Sequence, residues 1–319
     1  MRPRVSLALP VYNGEKFVAD AIRSILDQDY RDFELIITDN ASIDATEGIC
    51  RQFATSDDRI KYFRNERNLG AGPNFNLGFE LSSGDYFKWC ACDDCLSPNF
   101  VASCVTALDL NQSAVLAYGT TQIIDADGRP VSQTGSVLTG MDEEGPVGRF
   151  EKVIGEVGTC YEVFGVFRSA ALRQTTLHRP YYGSDRALLA EMALLGPFLC
   201  VPGIVFYSRE HAGRSINIAD KKARVAWHNT QAKTRHSLEH WRLLGHLMQL
   251  AFRRRRLAPP SQTLRCVLAW ALTPLQLSRY GLELIGFIFP SMHTRLRRLG
   301  WQAVHVLRRP VEMLRRAKT

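Results

Sequence analysis

Within its first hundred residues the chain repeats one pattern four times: a short apolar run without polar alternation, then a stretch of helical period. The runs are Val5–Leu9, Phe33–Thr38, Ile60–Phe63 and Tyr86–Trp89. Between them, residues 15–28 place Phe17, Val18, Ala21, Ile22, Ile25 and Leu26 on one stripe. A second helical stretch follows Ser42 or Asp44 as its cap, with Glu47 three residues after Asp44, and Pro73 opens a third that runs to about Leu81. Apolar runs that do not alternate are strands covered on both faces. Strands of that kind joined by single helices demand parallel pairing with right-handed crossovers. The expected class is therefore α/β, with a doubly wound, mostly parallel sheet.

In such a sheet, ligands bind outside the carboxyl ends of the strands. The polar residues expected at that edge are Tyr12 and Asn13 after the first strand, Asp39 at the end of the second, and Asp93 and Asp94 after the fourth. Two adjacent carboxylates repel unless a cation compensates them. Asp93 and Asp94 are thus read as facing a divalent metal that holds phosphate, with solvated loop acids as the alternative. An acid at the end of the second strand suits a ribose or a base, so a nucleotide is the expected ligand. Ser97 and Pro98 are read as the N-cap and first position of the next helix. Gly70-Ala-Gly72 begins like a dinucleotide fingerprint, but Phe75 stands where the third glycine belongs and the segment follows the third strand. A nicotinamide site is rejected, and no phosphate-loop lysine motif is present.

Beyond Pro98 a helix is expected to about Leu110, then strands at Ala114–Tyr118 and Thr121–Ile124 and a hairpin turn at Asp127-Gly128. Residues 132–158 read as a mobile loop around a short helix, a lid on the acceptor side. A strand at Val163–Phe167, a helix beginning at Arg168, a helix at Ala187–Leu195 capped by Ser184, and strands at Phe198–Val201 and Val205–Ser208 complete this part.

Charge divides the chain. Residues 1–218 hold 20 Lys/Arg against 28 Asp/Glu, whereas residues 219–319 hold 20 against 4. An acidic globular part with a basic tail points to an anionic partner, a membrane surface or nucleic acid. The tail lacks a base-reading motif or aromatic platform, so nucleic acid is not expected. Residues 220–256 read as amphipathic helix, with His236 and His240 four apart on a solvated face or, as the alternative, at a metal. Residues 265–292 are strongly apolar but interrupted by Pro274, Arg279 and Glu283, too short a charge-free run to span a bilayer. They are read as interfacial helices flanked by Arg295, Arg297, Arg298, Arg308, Arg309, Arg315 and Arg316, with a re-entrant hairpin or a helical cap on the globular part as alternatives. The eight cysteines lie mostly in apolar runs, and Cys90, Cys92, Cys95 and Cys104 match no common zinc spacing. Met1-Arg-Pro-Arg enters a strand directly, so no signal peptide is read and reduced cytosolic thiols are expected.

The motifs, in order, identify a resemblance. They are Ser6-Leu-Ala-Leu-Pro-Val-Tyr-Asn, the acidic segment Ile37–Thr46 containing Asp39, Asn40, Ser42 and Asp44, Asn68-Leu-Gly70 with Asn76, and Gly84-Asp-Tyr. After these come Asp93-Asp94 with Pro98, Gly183-Ser184-Asp185-Arg186, and Arg209-x-His211. Residues 5–215 resemble the family 2 glycosyltransferases, inverting nucleotide-sugar enzymes of the GT-A fold. The resemblance implies a nucleotide-binding half over residues 1–97, an acceptor half over 98–218 and a helical tail over 219–319. It implies that Asp39 bonds the base, with Pro10, Tyr12 and Asn13 against it and Asn68 and Asn76 nearby. It further implies Mg²⁺ or Mn²⁺ on Asp93, Asp94 and His211, and Asp185 as the general base. Arg186 and Arg209 would serve the phosphate or acceptor. A UDP-linked donor, a saccharide or polyprenyl-linked acceptor in cell-surface polysaccharide or glycolipid synthesis, and a place on the inner face of the cell membrane are the corresponding expectations. The sequence departs from the family at Ala91, where many members carry an acid, and at Asn40, where a second acid is usual. Ala91 motivates the alternative of a catalytically silent, membrane-associated scaffold.

Overall fold

The computed structural model describes residues 2–134, 138–156, 158–218, 220–230 and 238–288. The four expected strand–helix units form: β1 (Val5–Val11), α1 (Val18–Leu26), β2 (Phe33–Asp39), α2 (Thr46–Ser56), β3 (Ile60–Arg64), α3 (Ala71–Glu80) and β4 (Tyr86–Trp89). They continue into β5 (Cys95–Leu96), α4 (Phe100–Leu110), β6 (Leu116–Ile124), β7 (Pro130–Thr134), α5 (Pro146–Gly155) and β8 (Val166–Arg168). Next are α6 (Ser169–Leu172), α7 (Ser184–Leu195) and β9 (Phe198–Arg209), followed by four C-terminal helices: α8 (Lys221–His228), α9 (Glu239–Arg253), α10 (Pro260–Ala271) and α11 (Pro274–Ile288).

One sheet contains all nine strands, in the order β3-β2-β1-β4-β8-β6-β9-β5, with β7 paired to β6. Strands β3, β2, β1 and β4 run parallel, and the order reverses direction across the β1–β4 pair. That reversal leaves a crevice at the carboxyl edge where a ligand can enter. Strands β8 and β5 pair antiparallel with their neighbours, and β9 runs parallel to β6.

Several expected elements merge or shift. The two short runs within residues 114–124 are one strand, and so are the two within 198–208; the ladder between these long strands shifts register at Tyr118/Thr120, and Gly119 lies against Ile204. Ser97 does not cap α4. Its hydroxyl is bonded to Asn99 and accepts from the Val205 amide, tying the chain to β9 instead. Ser184 is the first residue of α7, not its cap, and Gly183, at φ +86°, makes the turn. The strand expected at 163–167 forms as β8, shifted to Val166–Arg168, with a 3₁₀ turn at Tyr161–Phe164 before it. The short helix expected within 132–158 is α5, and residues 132–134 belong to β7 instead of the loop.

Two cores form, one on each sheet face. The first packs α1 and α4 against β1 and β2. The second joins Phe87, Trp89 and Phe167 to α5, α7 and the C-terminal helices through Leu243, Leu247, Leu250, Val267 and Trp270. The C-terminal helices α9 and α10 are thus part of the same core as Phe87, Trp89 and Phe167. His240 bonds Glu283 at 2.8 Å, closing α9 on α11. His236, residues 289–292 and the arginines from Arg295 to Arg316 lie outside the described residues. Among the described residues no helix is long and apolar enough to cross a membrane.

Candidate active site

Three strand ends meet at the crevice. Pro10 is buried in β1 opposite Thr38, and Tyr12 stands exposed just beyond it. Asn13 sits at φ +52° because both its amides are used: its N–H donates to Ser42 Oγ at 2.9 Å and its Oδ1 accepts from Ile43 N at 2.9 Å. The Gly14 amide donates to Thr46 Oγ1 at 2.8 Å, so the loop after β1 is laced to the loop after β2.

Asp39 is wholly buried and its carboxylate is fully engaged. Oδ1 accepts from Ser42 N at 2.9 Å, and Oδ2 accepts from Tyr62 OH at 2.6 Å and Arg64 Nη1 at 2.7 Å. Arg64 lies directly across the ladder from Asp39 and also donates to the Ser42 carbonyl. Charge-assisted bonds of this length fix the orientation of the carboxylate. Sequence reading missed Tyr62 and Arg64. Their spacing of two on β3, with Arg64 opposite Asp39, was the available signal.

Asn40 explains its own departure from an acid. Its Nδ2 donates to Asn68 Oδ1 at 2.9 Å while its Oδ1 accepts from Leu69 N at 2.9 Å and Asn65 Nδ2 at 3.1 Å. Only an amide can give and take in that way; a carboxylate would face Asn68 Oδ1 without a proton. Asn68 Oδ1 also accepts from Gly70 N at 2.8 Å. Gly70 lies at φ +90°, and a Cβ there would meet the His228 and Asn229 backbone at 2.7–2.9 Å, so this position admits little but glycine.

Asp93 and Asp94 point to different places. The antiparallel pairing of β5 with β9 carries the end of β9 over the acid pair. His211 Nε2 stands 2.9 Å from Asp93 Oδ2, its Nδ1 accepts from Gly213 N at 3.2 Å, and its ring packs on Phe17 at 4.7 Å. That tautomer puts the imidazole proton on Nε2, between the two groups. Asp94 instead turns inward and accepts from the Arg209 amide at 2.8 Å, beside Lys88, Cys90 and Cys95. Burial, with Asp93 adjacent, pushes its carboxyl well above the carboxylate range. Lys88 is itself fully buried, its ammonium on the Phe164 carbonyl and over the Phe100 ring, and burial lowers its pKa. The expected three-residue metal set is therefore reduced to Asp93 and His211. Among the described residues no three His, Cys, Asp or Glu side chains surround one point.

Two expected phosphate ligands are committed elsewhere. Arg209 is buried over Phe17; its Nε donates to the Asp93 carbonyl at 2.9 Å and its Nη1 to the Ala126 carbonyl at 3.0 Å. Arg186 donates to the carbonyls of Val153, Glu156 and Gly158, holding the end of α5. Both act as main-chain clamps. Asn76 likewise spans the His178 backbone, donating to its carbonyl at 2.8 Å and accepting from its N–H at 3.0 Å, and so anchors the loop before α7 rather than joining the crevice.

That loop delivers Asp185 to the start of α7. Its Oδ1 accepts from Arg186 N at 2.8 Å, and burial raises its pKa against the opposing pull of that bond and the guanidinium. A carboxylate made more basic in this way is suited to take a proton. The loop is braced from below. Tyr181 OH bonds His246 Nδ1 at 2.6 Å, and His246 Nε2 bonds Thr176 Oγ1 at 3.1 Å. Glu191, fully buried on α7, accepts from Thr176 N at 2.9 Å and from Arg254 Nη2 at 2.8 Å. His178 is enclosed by Phe75 and Trp89, and burial lowers its pKa to about 3.

Residues 6–175 match the family model described as Glycosyl transferase family 2, just over half of the chain. The chain belongs to glycosyl transferase family 2. The match takes in Asp39, Asp93 and Asp94 and stops short of Asp185 and His211. Among relatives, an uncharacterized glycosyltransferase of Rickettsia bellii is 36% identical over 130 residues, 40% of this chain and 18% of the relative. The GalNAc(5)-diNAcBac-PP-undecaprenol beta-1,3-glucosyltransferase of Campylobacter jejuni is 26% identical over 188 residues, 58% of each. The chain thus spans less than two thirds of these relatives. Among solved structures, S. aureus TarS 1-349 in complex with UDP-GlcNAc superposes with a TM-score of 0.53 at 16% identity, covering 90% of this chain and 91% of that one. The mannosyltransferase PcManGT from Pyrobaculum calidifontis, in complex with GDP-Man and Mn²⁺, gives 0.52 at 16% identity, covering 95% and 81%. These likenesses establish the GT-A fold; the family establishes a glycosyltransferase.

Proposed function

We propose that this glycosyltransferase moves a sugar from a nucleoside-diphosphate donor, UDP-linked in the first instance, to a hydroxyl of a saccharide or polyprenyl-linked saccharide, with inversion. The observation that carries the reading is the Asp93–His211 pair at the sheet's switch point, near the Asp39–Arg64 pair at the end of β2. The relatives' and neighbours' substrates support it: a lipid-linked saccharide in one, UDP-GlcNAc and GDP-Man in others.

The base lies against Asp39 and Arg64, an acceptor and a donor side by side, with Tyr12 as an exposed ring at the mouth. Asp93 Oδ2 and His211 Nε2 are the two side-chain atoms that would hold a divalent cation here. One oxygen and one imidazole favour Mn²⁺ over Mg²⁺ and leave the other positions to phosphate and water. A cation held by these residues would supply positive charge against the departing diphosphate. Asp185 accepts the proton of the acceptor hydroxyl as its oxygen attacks the anomeric carbon. The carbon–oxygen bond to the diphosphate breaks with its electron pair leaving on the diphosphate. A single displacement needs one base and inverts the centre. The acceptor side would sit at the inner face of a membrane.

The test is a donor panel scored by released nucleoside diphosphate, with Mn²⁺ and with chelator. Turnover that needs Mn²⁺ and is lost in Asp185→Asn is the expected result. A protein that binds no nucleotide-sugar by calorimetry with Mn²⁺ present would instead be the silent scaffold that Ala91 first suggested.

A further inference from the structure

The helical hairpin α10–α11 presents two unlike sides. Inward, Thr263, Val267, Trp270 and Tyr280 are buried against the catalytic half. Outward, every exposed side chain from Cys266 to Ile288 is uncharged. Leu272 is 65% exposed, Ile288 61%, Phe287 54%, and Leu268 and Leu277 50% each. The two charges in this stretch are withdrawn: Glu283 is buried beneath His240, and Arg279 is half-buried. A continuous apolar face of this kind marks an interaction surface, whereas single exposed leucines do not.

We propose that this face is a lipid-contact surface that seats the protein on an anionic bilayer. It deepens the membrane reading above and rests on it for where the acceptor lies. Among the described residues neither helix is long enough to span: α10 has 12 residues and α11 has 15 up to Ile288, against about 20 for a transmembrane helix. Helices of this length with one apolar side lie in the interface. The charge around the face selects the occupant. Arg253, Arg255, Arg256 and Arg265 are exposed on the approach to it, and the sequence after Ile288 adds seven arginines and one lysine against a single glutamate. A second copy of the chain would bring two basic rims together; anionic headgroups pair with the rim. The surface is also mechanically joined to the chemistry. Helix α9, packed on α10 and α11, carries His246 and reaches Glu191 through Arg254, the two contacts that brace the loop and helix of Asp185. Seating the hairpin sets the height of the acceptor side above the lipid.

The experiment is flotation of the full-length protein with phosphatidylcholine–phosphatidylglycerol vesicles and with phosphatidylcholine alone, alongside light scattering and nucleotide-sugar calorimetry without lipid. Wild type should float with the anionic vesicles and keep part of that binding at high salt. Leu272→Glu with Leu277→Glu should cut the bound fraction at least ~10-fold, with donor affinity unchanged, which also reports that the fold is intact. Arg255→Glu with Arg256→Glu should weaken binding to anionic vesicles only. A double leucine variant that floats like wild type overturns the proposal. So does a wild type that ignores vesicles, whether as a monomer or as a dimer that the leucine changes split. Failure of sugar transfer with flotation intact would count against the transferase reading alone.

Discussion

The end of β2 is fastened by residues that are near in sequence, whereas the Asp93–His211 pair, 118 residues apart, and the loop before Asp185 are fastened by residues that are far. Asn13 meets Ser42 across 29 residues and Asp39 meets Arg64 across 25. Tyr181 meets His246 across 65 residues, and Asn76 meets His178 across 102. The donor fastenings are polar side chains on strand ends and their loops, brought together by the sheet's own register. The Tyr181–His246 fastening needs α9 docked in place before it exists. Nucleotide binding at the proposed donor half and chemistry at the proposed acceptor half should therefore respond to different substitutions.

The largest separation is expected from Asp185→Asn. Removing the base should lower kcat by about 10²–10⁴-fold and leave nucleotide-sugar affinity as it was, read by steady-state kinetics and calorimetry together. Equal losses in both would break the division. Asp93→Ala should lower kcat by roughly 10²-fold and abolish the response to added Mn²⁺, whereas His211→Ala should retain some response through the remaining carboxylate. Substitutions at the fastenings come next. His246→Ala strands the Tyr181 hydroxyl and should cost about 1–3 kcal/mol of stability, with kcat down and donor affinity spared. Asn40→Asp should cost a similar amount while weakening donor binding first. Thermal melts and calorimetry on the pair would show whether damage stays on its own side.

The smallest effect is in pH, and it belongs to one side. All eight histidines lie after residue 177. Burial lowers His178 to about 3 and His228 and His246 to about 4, from 6.5. A depressed histidine contributes stability above its unfolded pKa and loses it as pH falls toward the folded value. Going from pH 7 to pH 6 should cost about 0.7 kcal/mol per group, read by denaturant titration. His246→Gln should remove one share; a pH response unchanged by that substitution would contradict the burial.

The same division decides what could be read in the sequence. Strands β1 to β4 were legible because a sheet covered on both faces leaves an apolar run with no alternation, and Asp39 and Asp93 follow from where those runs end. Arg186, Arg209 and Asn76 were misassigned for a common reason. A guanidinium or an amide beside a site can face a phosphate or a backbone carbonyl, and nothing in the local sequence says which. The two long strands read as four because Tyr118/Thr120 interrupts the β6–β9 ladder and Gly203 breaks the apolar pattern. Asp94 looked equal to Asp93 because their difference lies in β9, more than a hundred residues away. The C-terminal helices showed their apolar stripes plainly, but the sequence could not say that one stripe completes the core behind Trp89.

That completion has a consequence for the order of events as the chain is made. The core that Phe87 and Trp89 enter is completed by residues of the C-terminal helices, among them Leu247, Leu250 and Val267. At roughly 5–20 residues per second, the donor half can settle soon after β4 emerges. The opposite face of β4 then waits roughly 10–40 s for α10. Through that interval the newborn protein holds the β1–β3 strand ends in place beside an open hydrophobic flank, the stage at which a chaperone or a nearby membrane has most to offer it.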